Sequence, residues 1–241
     1  MLSQIMTGNR DIGVTRYDGK NIYGYGNVRL APHYVMHLIN PLFPFSSLLD
    51  IGCGDGIVKD YLPEKERGEV DYIGIDIGAG IYEETKSPNI KYVRDHQKLL
   101  NSINDTYDVS ILINVLEHTL DFTSLFKMAL EKTKMYILVT LPNAENIHER
   151  LRFLLGKGIK THMLDMIGLH PNHRHLWLIQ IEKAVRILES IAKNYEFQLI
   201  NITHYLAFPT TPWKRMIYRS VVYPLPWSVK ARSFAMLFEK I

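Results

Sequence analysis

Three glycines at every second position, Gly52, Gly54 and Gly56, follow an apolar run (Phe45, Leu48, Leu49, Ile51) that reads as a buried strand. Such a loop turns tightly and brings backbone close to a ligand where a Cβ would collide. The spacing G-x-G-x-G is not the dinucleotide fingerprint G-x-G-x-x-G, which needs glycine where this chain has Ile57. A second strand, Val70 to Asp76 (VDYIGID), ends in an acid 24 residues after Gly52. A carboxylate there can accept both hydroxyls of a ribose lying across the strand tips.

Two further clusters carry acid–base or ligand chemistry. Glu117 and His118 are adjacent at the end of the segment YDVSILINVLEH, Tyr107 to His118. Three readings stay open for them. His118 can act as general base toward a hydroxyl, because imidazole titrates near neutral pH. The pair can hold a metal, or Glu117 can simply pack beneath a ligand. The second cluster is His170, His173 and His175, with His162 nearby. Its spacing lacks the i, i+4 pairing of a helical metal site, and no cysteine assists. A lid that touches substrate and a solvated loop are the two readings, with His173 and His175 favoured because Leu176 and Trp177 should anchor the loop.

The elements that must position these groups follow from periodicity. Residues 31–41 read as a short helix closed by Pro41, and Ile57 to Arg67 as a crossover helix that Pro63 shortens or breaks. Strands are expected at 70–75, 90–93, 109–113, 135–141 and 197–202. Asp121 is placed to cap a helix with the stripe Phe122, Leu125, Phe126, Ala129 and Leu130. Asn143 can cap another, running to Gly156 with Ile147, Leu151, Leu154 and Leu155 on one face; Gln180 to Lys193 is clearly amphipathic. Strands alternating with helices imply an α/β fold with a parallel, doubly wound sheet, whose ligands sit at the carboxyl ends of the strands.

At these residues the chain resembles the class I S-adenosylmethionine-dependent methyltransferases. LLDIGCGDG (Leu48 to Gly56) is similar to their first motif, YIGIDIG to their second, and NVLEH to the fourth-strand motif of a subgroup ending in Val-Leu-Glu-His. The resemblance covers roughly Phe45 to Asn143. It implies a Rossmann-like, mostly parallel seven-stranded sheet with an antiparallel last strand, for which Ser233 to Phe238 is the candidate. It also implies S-adenosyl-L-methionine as cofactor, bound by Asp50, Gly52, Gly54, Gly56, Asp76 and Ile77, with Asp95 or His96 near adenine and Asn114 and Val115 near the methyl group. Asp95 can equally be a helix N-cap. Glu117, His118, His173 and His175 are the implied catalytic set. No metal is assigned: relatives that bind a divalent cation have an acid where this chain has Asn114.

The expected organisation is one methyltransferase domain over residues 1–241: an N-terminal cap at 1–44, a cofactor-binding core at 45–143, and acceptor-side insertions at 144–179 and 204–232. Tyr17, Tyr23, Tyr25 and Arg29 belong to the cap, which reads as a flap over the cofactor or as a mobile arm. Cys53 is the single cysteine, so a disulfide framework and a cysteine-rich zinc site are excluded. It lies in the glycine loop, which argues against carbon-5 pyrimidine methylation, and NVLEH lacks the proline pair of amino-group methyltransferases acting on DNA bases. A net charge of +3 is short of a nucleic-acid footprint. The N-terminus lacks the basic-then-apolar layout of a signal peptide, and no run reaches membrane-span length, so a cytoplasmic protein is expected.

The expected reaction is methylation of a hydroxyl or amine on a small molecule, glycan or lipid-linked intermediate. Methylation of RNA or protein, and a non-catalytic cofactor-binding module, are the alternatives. Residues 204–232 stand apart. They carry Lys214, Arg215, Arg219, Lys230 and Arg232, no acid, and Trp213, Tyr218, Tyr223 and Trp227. They read either as a cover over the acceptor pocket that also touches a membrane, or as an insertion that packs its aromatics on the domain.

Overall fold

The structure, a computed structural model, describes residues 36–54, 56, 58–76, 90–92, 105–159, 175–206 and 211–241, with backbone alone at 90–92, 214 and 215. Strands β1 (Ser47–Ile51), β2 (Asp71–Asp76), β3 (Ile90–Tyr92), β4 (Tyr107–Ile113), β5 (Thr133–Pro142), β6 (Phe197–Tyr205) and β7 (Ser233–Lys240) form one sheet in the order β3-β2-β1-β4-β5-β7-β6. The five strands from β3 to β5 pair in parallel. β7 inserts antiparallel between β5 and β6. The sheet is therefore mixed and mostly parallel, as the alternation of strands and helices implied. The strand order reverses at β1, so the crevice at the carboxyl ends of β1 and β4 is the topological switch point where ligands bind.

Side chains of consecutive strand residues fall on opposite faces, and here both faces are buried. Leu49, Ile51, Leu112, Ile137 and Val139 share one core with helices α3 (Phe122–Glu131) and α5 (Ile181–Lys193). Leu48, Val109, Ile111, Leu138 and Ala235 share the other with Met36, Leu38, Ile39, Val58 and Leu62. Such two-sided burial explains why these strands read as continuous apolar runs rather than alternating ones. Leu125, Phe126, Ala129 and Leu130 are the buried stripe of α3, and Asp121 Oδ1 caps its start by accepting from Ser124 N at 3.0 Å. Truncating Phe126 there would cost ~3–5 kcal/mol.

Pro63 breaks the first crossover as expected, and several other local expectations are corrected. Proline divides the first crossover into α1 (Val58–Tyr61) and α2 (Glu64–Arg67), with Pro63 as the N-cap of α2. Arg67 closes the break by donating to the carbonyls of Asp60 and Leu62. The helix before β1 runs past Pro41 and ends in a 3-10 turn, Asn40–Leu42, in which the proline sits in the first turn. Asn143 does not cap α4 (Ile147–Leu154). Asn146 does, accepting from the backbone N–H of His148 and Glu149. Asn143 is instead buried and donates to the carbonyls of Ser228 and Ala231. It thereby ties the end of β5 to α7 (Trp227–Lys230). The face of α4 that should have joined the core is exposed, Leu154 at 80%.

Candidate active site

The ends of β1 and β2 build the glycine loop. Gly52 N and Cys53 N both donate to Ile75 O, at 2.6 and 3.1 Å, which extends the β1–β2 ladder past the strand. Gly52, Gly54 and Gly56 then take φ of +76°, +56° and +74°. A Cβ on Gly52 would lie 2.2 Å from Val115 Cγ2, so the loop can pass the β4 turn only without one. Asp76 Oδ2 accepts the Gly54 N–H at 2.8 Å, which fixes the loop against the tip of β2. Backbone free of Cβ atoms beside a strand-tip carboxylate fits a nucleoside-bearing cofactor that lies across the strand ends.

Beneath the loop, Asp50 is 1% exposed and accepts from the hydroxyl of Tyr72 at 2.7 Å. Sequence reasoning assigned Asp50 to the cofactor but passed over Tyr72 and Gly74. A Cβ on Gly74 would lie 2.7 Å from Cys53 Sγ and 3.2 Å from the Tyr72 hydroxyl. The glycine thus makes room for the groups that underpin the loop. An isolated glycine inside a strand was the available signal.

On the other side of the crevice β4 ends at Asn114, which turns the chain with φ of +53°, a region asparagine tolerates. Its N–H donates to Thr140 Oγ1 at 3.0 Å, and the Thr140 hydroxyl donates to Asn114 Oδ1 at 3.2 Å. The 3-10 turn Leu116–His118 follows immediately. It buries Glu117 to 1% exposure and leaves His118 partly accessible.

Glu117 has lost most of its solvation, which raises its pKa to about 8. Among the described residues, Oε2 has no hydrogen-bond partner. Oε1 lies 3.9 Å from His118 Nε2, too long for a hydrogen bond. Burial thus favours the protonated carboxyl, and a desolvated group with an unused oxygen is what a functional site would hold.

The segment at 175–177 is clamped onto this turn. Leu176 N donates to Glu117 O at 2.8 Å, and Trp177 Nε1 donates to Thr119 O at 2.8 Å. Trp177 also packs edge-on against Phe122, with centroids 5.6 Å apart. The clamp sets His175 edge-on to His118, with rings 4.9 Å apart. Donor atoms of Glu117, His118 and His175 lie within 4.8 Å of one another, near enough to hold a metal ion. Of the sequence-derived site residues, Asp50, Gly52, Gly54, Gly56, Asp76, Asn114, Val115, Glu117, His118 and His175 thus gather at the carboxyl ends of three neighbouring strands. Ile77, Asp95, His96 and His173 lie outside the described residues.

A mostly parallel sheet with a glycine loop and a strand-tip acid at its switch point defines a Rossmann-like nucleoside-cofactor enzyme. Residues 27–201 match the model of a family described as a methyltransferase domain, and the chain belongs to that family. It is an S-adenosyl-L-methionine-dependent methyltransferase. The fold is similar to that of a SAM-dependent methyltransferase from Archaeoglobus fulgidus (20% identity, 88% of this chain and 94% of that one, TM-score 0.59). It is also similar to magnesium protoporphyrin IX methyltransferase from Synechocystis PCC 6803, solved with bound SAH (15% identity, 91% of each chain, TM-score 0.55). A third similar structure is the plantazolicin methyltransferase BamL, with SAH and a triazolic desmethylPZN analog (14% identity, 88% and 82% coverage, TM-score 0.53). No curated protein matches the chain.

Proposed function

We propose that this methyltransferase acts on a hydroxyl or amine of a small molecule, glycan or lipid-linked intermediate, and that Glu117, His118 and His175 form its acceptor side. The observation that carries this reading is the buried Glu117 carboxyl, with Oε2 unpartnered among the described residues, beside His118 and His175 held edge to edge. The cofactor supplies an electrophilic methyl group. Gly52, Gly54, Gly56 and Asp76 hold it, Asp50 supports the loop from below, and Asn114 and Val115 form the floor beside the methyl. Ile77, Asp95 and His96 complete the cofactor set by sequence. His118 or His175 accepts the acceptor's proton, and the Glu117 carboxyl, whose Oε2 is unpartnered among the described residues, donates a hydrogen bond toward the acceptor oxygen. Holding both reactants in line accounts for up to ~7–11 kcal/mol of barrier lowering.

A second reading is supported by the proximity of the three donor groups. Glu117, His118 and His175 would hold a divalent cation and orient the acceptor through it. The chain's net charge of +3 supports neither reading toward RNA. Isothermal titration with S-adenosylmethionine, S-adenosylhomocysteine and NAD tests the cofactor half; binding of NAD in preference to the other two would overturn it. Release of S-adenosylhomocysteine against a panel of phenol, alcohol and amine acceptors, with and without a chelator, tests the acceptor half. Turnover of carbon acceptors alone would overturn it.

A further inference from the structure

Between β6 and β7 the chain leaves the sheet and forms α6 (Pro212–Ile217), a π-turn (Tyr218–Val222) and α7. Trp213, Met216 and Ile217 stand at i, i+3 and i+4 on α6, and Val221 follows about one turn later. This spacing puts large apolar side chains on one stripe of a helical run, a pattern that in a globular protein faces the core. Here it faces outward. Trp213 is 58% exposed and Met216 67%, with Ile217 and Val221 at least half exposed. Tyr223 and Trp227 are exposed beyond them.

The same stretch has a single sign of charge. Between His204 and Arg232 there are five Lys or Arg and no Asp or Glu. One of the cations is built into the aromatic surface: Lys230 Nζ lies 4.1 Å from the Trp227 ring centroid and 4.9 Å from that of Tyr223, and donates to Tyr223 O at 2.8 Å. Desolvation, with Lys230 nearby, lowers the pKa of His204, which stacks on Trp227 with centroids 5.0 Å apart. The base of the projection is therefore packed, while its apolar stripe meets solvent.

We infer that residues 211–230 are a membrane-surface docking element, which lays the stripe Trp213, Met216, Ile217 and Val221 into the headgroup region of an anionic bilayer. Trp and Tyr favour surfaces that are apolar on one side and wet on the other. A basic run with an apolar stripe has the chemistry of an in-plane interfacial helix. Among the described residues no helix is long and apolar enough to cross a membrane. An acidic protein partner would also satisfy the charge and could seat Trp and Met as anchors, but it predicts no pelleting with vesicles. A bilayer with anionic headgroups satisfies both the charge and the stripe.

The experiment is co-sedimentation of the full chain with phosphatidylcholine vesicles, with and without phosphatidylserine, at low and high salt. The protein should pellet with the anionic vesicles at low salt, and less so at high salt. Arg219→Glu should lower the partition coefficient ~10-fold or more, since each basic residue near an anionic surface is worth about a factor of five. Trp213→Ser with Ile217→Ser should lower it further, while S-adenosylmethionine affinity stays at the parent value and shows that the variants are folded. Absence of pelleting with anionic vesicles at low salt would overturn the inference. So would pelleting that ignores both sets of substitutions, or a stripe that mediates dimerisation in gel filtration without vesicle binding.

Discussion

Trp177 Nε1 donates to the carbonyl of Thr119 at 2.8 Å, joining segments 58 residues apart. With the Leu176–Glu117 backbone bond, it holds His175 against His118. Trp177→Phe keeps a ring beside Phe122 but removes the N–H. A net hydrogen bond of this kind contributes ~0.5–1.5 kcal/mol. The substitution should therefore lower kcat by up to ~10-fold and leave cofactor affinity unchanged, because Trp177 bonds to Thr119 and packs on Phe122. Steady-state kinetics beside isothermal titration would show this. A matching fall in cofactor affinity would mean that the clamp supports the whole crevice.

Glu117 gives a pH signature. Its folded pKa is raised to about 8 by desolvation, whereas an unfolded glutamate titrates near ~4.3. Between those values the unfolded chain has released the proton and the native protein retains it, so stability falls as pH rises. The stability is fully present below the unfolded pKa and lost up to the folded one. Glu117→Gln cannot ionise, and in metal-free protein it should flatten that descent between about pH 5 and 8. Urea melts across the range check it; an unchanged slope would place the titration elsewhere.

Gly52→Ala meets two obstacles, the left-handed φ of +76° and the approach of 2.2 Å to Val115 Cγ2. Cofactor binding should be lost while the far side of the sheet, built on β5, β6 and β7, stays folded. Adding Val115→Ala removes the clash but not the backbone strain, so affinity should return in part. Calorimetric titration of the single and double variants separates the two causes. Full recovery in the double variant would show that only the clash matters.

Asp76 accepts the Gly54 N–H, and in the proposed cofactor site it would also accept the ribose hydroxyls. Asp76→Asn retains an acceptor for Gly54, and Asp76→Ala retains none. The alanine variant should lose ~1.5–3 kcal/mol of S-adenosylmethionine binding, the range for a hydrogen bond to a charged group. The asparagine variant should fall between it and the parent. Equal losses in both would mean that the negative charge, and not the loop contact, carries the effect.

The sheet and the glycine turn were legible because both depend on local sequence. Two-sided burial writes continuous apolar runs into β1, β4 and β5, and the turn past β1 demands glycine. What was not legible depends on tertiary partners. Asn143 and Asn146 are equally good caps in isolation, and only the approach of Ser228 and Ala231 decides that Asn143 serves elsewhere. Likewise Leu151, Leu154 and Leu155 have core spacing yet remain exposed, since periodicity defines a face and not what covers it. The His118–His175 pairing was only half visible. Leu176 and Trp177 were placed as an anchor from composition, but the carbonyls of Glu117 and Thr119 that receive them carry no sequence signal.

Removing the histidines distinguishes proton transfer from metal binding. As general bases, His118→Ala or His175→Ala should lower turnover by ~10²-fold or more with cofactor affinity intact. His173→Ala tests the third histidine of the sequence-derived set in the same assay. The parent's activity should rise with pH through the range in which imidazoles deprotonate, and the variant lacking the base should lose that limb. A chelator leaves a proton-transfer enzyme at full rate. If Glu117, His118 and His175 hold a divalent cation, the chelator abolishes turnover, and Glu117→Gln should then be as damaging as either alanine substitution, because a neutral amide is a poor replacement for a carboxylate ligand. Full activity of both alanine variants across pH 5 to 8 would remove the general-base reading, and with it the assignment of this cluster to the acceptor.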